Sequence, residues 1–128
     1  MAGPLSDAKP VILVCVRDRD LAVPFYRDKL GLKFTGEDPF AAVFDIGGSV
    51  MRLSTVADWT PHAHTILGFE VADMKRAVAD LKAEGVTFQI YPGFNQDADG
   101  VWTSPDNAAR VAWFNDPEGN NLSITEFI

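Results

Sequence analysis

Residues 110–128, Arg-Val-Ala-Trp-Phe-Asn-Asp-Pro-Glu-Gly-Asn-Asn-Leu-Ser-Ile-Thr-Glu-Phe-Ile, read as a β-hairpin. Arg110–Phe114 is strand-like. Asn121–Phe127 alternates Leu122 and Ile124 with Ser123 and Thr125, and a period of two gives a strand one apolar and one polar face. The apolar pair should meet the core and the hydroxyls a wetter space such as a cavity. Asp116-Pro117-Glu118-Gly119 is the turn: proline pre-sets φ, glycine accepts φ > 0, and the aspartate side chain can bond its own backbone.

Working back from this hairpin, the same order of elements occurs twice. Val11–Val16 is a β-branched strand. Asp18 or Asp20 can cap the helix that follows, with an apolar stripe through Leu21 and Phe25 and a stop at Gly31. Pro24 fits that helix only in its first turn. Strands beginning at Lys33, Phe40 and Val50 follow. After the connector Asp58–His64, Thr65–Val71 is again a strand. Asp73 caps a helix whose Met74, Ala77, Val78 and Leu81 share a face, ended by Gly85. Val86–Tyr91 is a strand, and Pro92–Asn107 a long loop containing Trp102. Leu13, Asp20, Leu21 and Phe25 match Ile66, Asp73, Met74 and Val78 at one constant spacing. The expectation is an α+β fold of two βαβββ modules, about 10–57 and 65–127, in one domain spanning 1–128. One curved mixed sheet would surround a groove, with helices outside. Such a groove is the default ligand site.

The bulk numbers narrow the function classes. The 128-residue chain carries a net charge of −7 and one cysteine. An acidic chain without a basic stripe argues against nucleic acid and anionic membrane. Val11–Val16, the longest apolar run, is far too short to span a bilayer. A lone Cys15 excludes an internal disulfide framework and a cysteine-based zinc site. The N-terminus shows no secretory pattern, residues 1–9 read as frayed, and a cytoplasmic location is expected.

Residues 16–32, Val-Arg-Asp-Arg-Asp-Leu-Ala-Val-Pro-Phe-Tyr-Arg-Asp-Lys-Leu-Gly-Leu, resemble the first strand–helix of the vicinal oxygen chelate superfamily. Residues 115–127 resemble its closing hairpin. That group includes glyoxalase I, extradiol dioxygenases, and fosfomycin- and bleomycin-resistance proteins. Its enzymes hold one divalent metal on the first and last strands of each module, using His, Gln or Glu. The matching positions here are Leu13, Arg52, Ile66 and Ser123. The aliphatics cannot ligate, a guanidinium has no lone pair to offer, and serine alone is a weak ligand. The resemblance therefore implies the fold without the metal, and no cofactor is expected.

Candidate ligand-binding residues are Arg52, Trp102, His64, Trp59, Ser123 and Cys15; no catalytic residue is assigned. Arg52 is either an anion clamp or an internally paired cation. Trp102 in a polar loop suggests a lid over the groove. Tyr91 and Phe94 are further candidates for that wall, while Trp113 reads as core. His64 shares parity with Ile66 and could line the groove mouth; for His62 and His64 together, an exposed connector is the plainer reading. Cys15 shares parity with Leu13 and reads more simply as inert. Glu126, of opposite parity to Ser123, should lie outside. The first functional expectation is a metal-independent small-molecule-binding protein of the bleomycin-resistance type, holding an aromatic or anionic compound and working as a homodimer. Alternatives are a glyoxalase-like lyase, isomerase or dioxygenase with a metal on an unusual set including His62 or His64, and an interaction module with a vestigial groove.

Overall fold

A computed structural model describes residues 3–128; Met1 and Ala2, part of the stretch expected to fray, lie outside the described residues. Two compact units divide at Trp59 and Thr60. Both are α+β, and each builds one four-stranded mixed sheet.

In the first unit, β1 (Val11–Val16) is followed by α1 (Arg19–Pro24), β2 (Lys33–Glu37), β3 (Ala41–Ile46) and β4 (Ser49–Thr55). The sheet order is β1-β4-β3-β2, with β1 and β4 parallel and the other pairs antiparallel. One face carries Val14, Val16, Phe44, Met51 and Leu53, all fully buried, together with Ala22 and Tyr26 from the helix. The Tyr26 ring lies 5.3 Å from Phe25 and 6.3 Å from Phe44. Such rings bury large apolar areas and carry much of a core's stability.

Asp18 is the helix cap: its carboxylate accepts from the Asp20 and Leu21 amides. The repeat had aligned Asp20 with Asp73; by capping role, Asp18 is the partner of Asp73. Pro24 is not in the first turn but ends α1, six residues beyond the cap. It has no N–H to return to Asp20, and its ring crowds that turn. The helix responds by widening into a π-helical turn over Phe25–Lys29, where the Leu30 amide donates to the Phe25 carbonyl at 3.0 Å.

In the second unit, β5 (Thr65–Glu70), α2 (Met74–Ala83), β6 (Trp102–Thr103), β7 (Ala109–Asn115) and β8 (Asn121–Phe127) give the order β5-β8-β7-β6. Leu67, Leu122, Ile124, Ala112 and Phe114 form the core face, covered by Met74 and Val78 of α2. Leu122 and Ile124 therefore point where their alternation placed them. Glu126, on the face opposite Ser123, meets the helix: it accepts the Met74 amide at 2.7 Å and pairs with Arg110 at 2.6 Å. A carboxylate at a helix N-terminus meets an orphan N–H and the positive end of the dipole.

The edge strand of this sheet departs from the expected continuous Val86–Tyr91. It is split in two. Phe88 bridges Phe114, and the Gln89 amide donates to the Trp113 carbonyl at 2.8 Å. The chain then leaves the sheet and returns as β6, where Trp102 and Thr103 pair with Val111 and Arg110. Gly100, at φ +91°, closes the excursion; a Cβ there would meet Phe88 Cβ at 3.2 Å. Both the left-handed φ and the tight approach require glycine.

Candidate functional site

The excursion between Gln89 and Trp102 builds the site. Gln96 ties it back on three sides: its Oε1 accepts the Tyr91 amide at 2.6 Å, and its Nε2 donates to the carbonyls of Gln89 and Gly100 at 2.9 and 2.8 Å. Asp97 adds a turn, accepting the Asp99 and Val101 amides at 2.9 Å. These bonds fix Tyr91 and Phe94 over Trp113 of β7. Ring centroids lie 5.6 Å apart for Tyr91–Phe94, 5.7 Å for Tyr91–Trp113 and 6.0 Å for Phe94–Trp113. All three separations fall in the range where edge-to-face attraction operates.

Beside this triangle is a pocket of about 240 Å³ lined by Ala63, His64, Thr65, Tyr91, Phe94, Trp113 and Asn121. It is smaller than the roughly 300–1,000 Å³ of clefts for drug-sized ligands, and so suits a small flat molecule. Asn121 is 5 % exposed and fully engaged. Its Oδ1 accepts from the Thr65 hydroxyl at 2.6 Å, and its Nδ2 donates to Tyr91 Oη at 2.9 Å and Asn115 Oδ1 at 3.2 Å. Among the described residues, the lining contains no Lys, Arg, Asp or Glu. The pocket therefore offers π-faces, the His64 imidazole, and amide and hydroxyl groups.

The sequence candidates fall in different places. His64 lines this pocket, and its ring stacks on His62 at 5.4 Å. Trp102 stands in β6 rather than in a free lid and packs on Trp113 at 6.3 Å. Sheet pairing overrides the loop reading because residues 104–108 form a tight return: Ser104 Oγ accepts the Ala108 and Ala109 amides, both at 3.0 Å. Ser123 pairs with Trp113 across the sheet but is 7 % exposed; a Cβ on Gly68 would lie 3.0 Å from its Oγ. The cavity expected beside Ser123 is thus nearer Asn121, two residues along the same face. Trp59 is half-buried at the end of the first unit.

Arg52 and Cys15 lie on the first unit's sheet, on the face opposite its core. The Arg52 guanidinium meets Asp38 Oδ2 at 2.8 Å, which realises the paired alternative. Asp38 Oδ1 accepts the Phe40 and Ala41 amides. Arg52, and then these two N–H groups, lower the Asp38 carboxyl to about 2. A carboxylate whose pKa falls on folding contributes stability above its unfolded pKa of roughly 3.9, and that contribution is lost as pH falls toward 2. In acid titrations of Tm, wild type and Asp38→Asn should therefore converge between about pH 4 and pH 2. A gap that stays constant through that window would remove Arg52 as the cause.

At the positions where the resemblance implies a metal, Leu13 lies beside Arg52 on β1 and β4. On the other sheet, a register shift between Thr65 and Leu67 leaves Ile66 without a β8 partner, and Gly68 takes the place beside Ser123. Leucine, isoleucine and glycine offer no side-chain lone pair, and a guanidinium repels cations, so this donor set does not fit a divalent ion. Among the described residues, no three His, Cys, Asp or Glu side chains group as metal ligands, and no helix is long and apolar enough to cross a membrane.

Two βαβββ units, each with a helix on one sheet face, define an α+β fold class. The sequence model of the Glyoxalase/Bleomycin resistance protein/Dioxygenase superfamily matches residues 10–124, and the chain belongs to that superfamily. Solved structures agree on the fold. A glyoxalase/bleomycin resistance protein/dioxygenase from Alicyclobacillus acidocaldarius is 20 % identical, with a TM-score of 0.72 over 100 % of this chain and 96 % of that one. A superfamily member from Sphaerobacter thermophilus is 23 % identical, with a TM-score of 0.69 over 92 % and 95 %. A lactoylglutathione lyase from Agrobacterium tumefaciens is 18 % identical, with a TM-score of 0.70 over 93 % and 92 %. No curated protein sequence matches the chain.

Proposed function

We propose that this is a metal-independent small-molecule-binding protein that takes a neutral aromatic compound into the pocket of the second unit. The observation that carries the reading is the Tyr91–Phe94–Trp113 triangle, held open beside a buried, satisfied Asn121. Rigid aromatic walls lose little entropy when a flat ligand arrives, so more of the contact energy becomes affinity. The anionic alternative has less support, because Arg52 is already bonded to Asp38. The enzyme alternative would rest on His62 and His64, two imidazoles that no third His, Cys, Asp or Glu joins as a ligand group among the described residues.

The test is a fluorescence titration with two-ring aromatics on protein dialysed against EDTA. Quenching with a saturable, micromolar Kd, unchanged by added Zn²⁺ or Ni²⁺, is the expected result. Binding that appears only after metal is restored, and disappears in the His62→Ala/His64→Ala variant, would transfer the site to the enzyme reading.

The proposal includes a cytoplasmic homodimer. Val11, Leu13 and Val50 are 56, 66 and 43 % exposed on adjacent strands, an apolar surface that a second copy would cover. The single cysteine suits a reducing compartment.

A further inference from the structure

We infer that Tyr91 is the hydrogen-bond donor that sets the pocket's specificity. Its ligand is then a flat aromatic molecule with an acceptor, a ring nitrogen or carbonyl oxygen, on the edge it presents. This rests on the reading of the pocket as an aromatic-binding site and adds the polar contact that orients the guest.

The inference follows from counting hydrogens around Asn121. Its carboxamide oxygen is taken by Thr65, and its amide hydrogens go to Tyr91 Oη and Asn115 Oδ1. Among the described residues, Asn121 is the only hydrogen-bond partner of the Tyr91 hydroxyl. A phenol carries one O–H and a lone-pair acceptor. Here the acceptor side receives the Asn121 N–H, which leaves the phenolic hydrogen for a guest. Accepting one bond polarises the hydroxyl and strengthens the bond it donates. Thr65 cannot compete, since its own hydroxyl hydrogen is spent on Asn121.

The donor is also preorganised at both ends. The Tyr91 amide is held by Gln96 at 2.6 Å, and its ring stands at 78° to Trp113. The phenol ring is therefore held beside the Trp113 and Phe94 rings, with its oxygen fixed by Asn121. A hydrocarbon entering here would strip water from that hydroxyl and return nothing, whereas an acceptor atom would replace the lost bond.

Naphthalene, quinoline and indole separate the outcomes, because they share a flat two-ring shape and carry no polar group, an acceptor and a donor respectively. Their affinities are measured by fluorescence titration on wild type, Tyr91→Phe and His64→Ala. The phenylalanine variant keeps the ring and removes only the hydroxyl. The expected result is that the quinoline-to-naphthalene affinity ratio falls about two- to tenfold in Tyr91→Phe and holds in His64→Ala. An unchanged ratio in Tyr91→Phe, with naphthalene still bound, overturns this inference and leaves the aromatic pocket standing. A ratio lost in His64→Ala instead moves the donor to the imidazole and also overturns it. A Tyr91→Phe change that penalises indole rather than quinoline means the phenol accepts from the guest, again against the assignment. If none of the three binds wild type, the aromatic pocket itself is wrong and the inference falls with it.

Discussion

Asp116→Ala should lower the stability of the second unit by about 2–4 kcal/mol, a large fraction of what holds an ordinary domain folded. Asp116 is 5 % exposed inside the β7–β8 turn. One carboxylate oxygen accepts the Glu118 amide at 2.8 Å and the Asn120 amide at 2.9 Å, while the other accepts the Asn120 side chain at 2.8 Å. Alanine would remove the acceptor of all three bonds, and bonds to a charged group are worth about 1.5–3 kcal/mol each. Part of this is recovered as water enters, so the sum of three bonds overstates the loss. Urea unfolding followed by tryptophan fluorescence in a Trp59→Phe background, where Trp102 and Trp113 are the reporters, reads the effect in the second unit. Asp116→Asn keeps one acceptor oxygen and should cost roughly half as much. A loss under about 0.5 kcal/mol for the alanine variant would mean the turn does not depend on this carboxylate.

The reach of that turn also shows how far the sequence could be read. Asp116, Pro117 and Gly119 announce a turn because each does something local: an Asx bond, a fixed φ, and φ +94° at Gly119. The packing of Gly119 on Pro61, where a Cβ would lie 3.0 Å from the proline Cγ, is not local and left no mark in the sequence. The same division runs through the whole chain. Strand alternation placed Leu122 and Ile124 in the core, and the two capping aspartates with the glycines behind them marked both helices. Pro24 was legible as a conflict but not in its outcome, because a π-helical turn depends on how tightly Phe25 and Tyr26 are fixed by the sheet.

The site was harder to read than the fold. Tyr91 and Phe94 were visible as aromatics in or beside a loop, but their convergence depends on Gln96, a residue with no distinctive signal of its own. Asn121 was findable: parity with Ser123 places it on the same face, and a carboxamide there needs partners. Trp113 has the same parity relation, since it pairs with Ser123, yet a tryptophan in a strand reads as core by default. Trp102 drew attention because its neighbours are polar, and it proves to be a strand residue backing Trp113. The Arg52–Asp38 bond joins residues 14 apart in sequence through the β3–β4 pairing, a contact that composition and periodicity do not encode.

The contrast between the two tryptophans gives the second large effect. Trp113→Leu should weaken binding of a two-ring aromatic by at least about tenfold, which corresponds to roughly 1.4 kcal/mol and is the scale of one aromatic contact beyond its buried area. Trp113 lines the pocket and touches both Tyr91 and Phe94, so its loss removes a wall and also loosens the other two rings. Trp102→Leu should cost only about threefold, because Trp102 reaches the pocket solely by bracing Trp113. Isothermal calorimetry is the appropriate measurement, since both substitutions remove a fluorophore. Leucine keeps an apolar side chain at each position, and the stability of each variant, measured alongside, separates a lost wall from a lost fold. If Trp102→Leu proves the more damaging of two folded variants, the ligand lies against β6, at the far end of the sheet from Asn121, and the pocket assigned above is not where it binds.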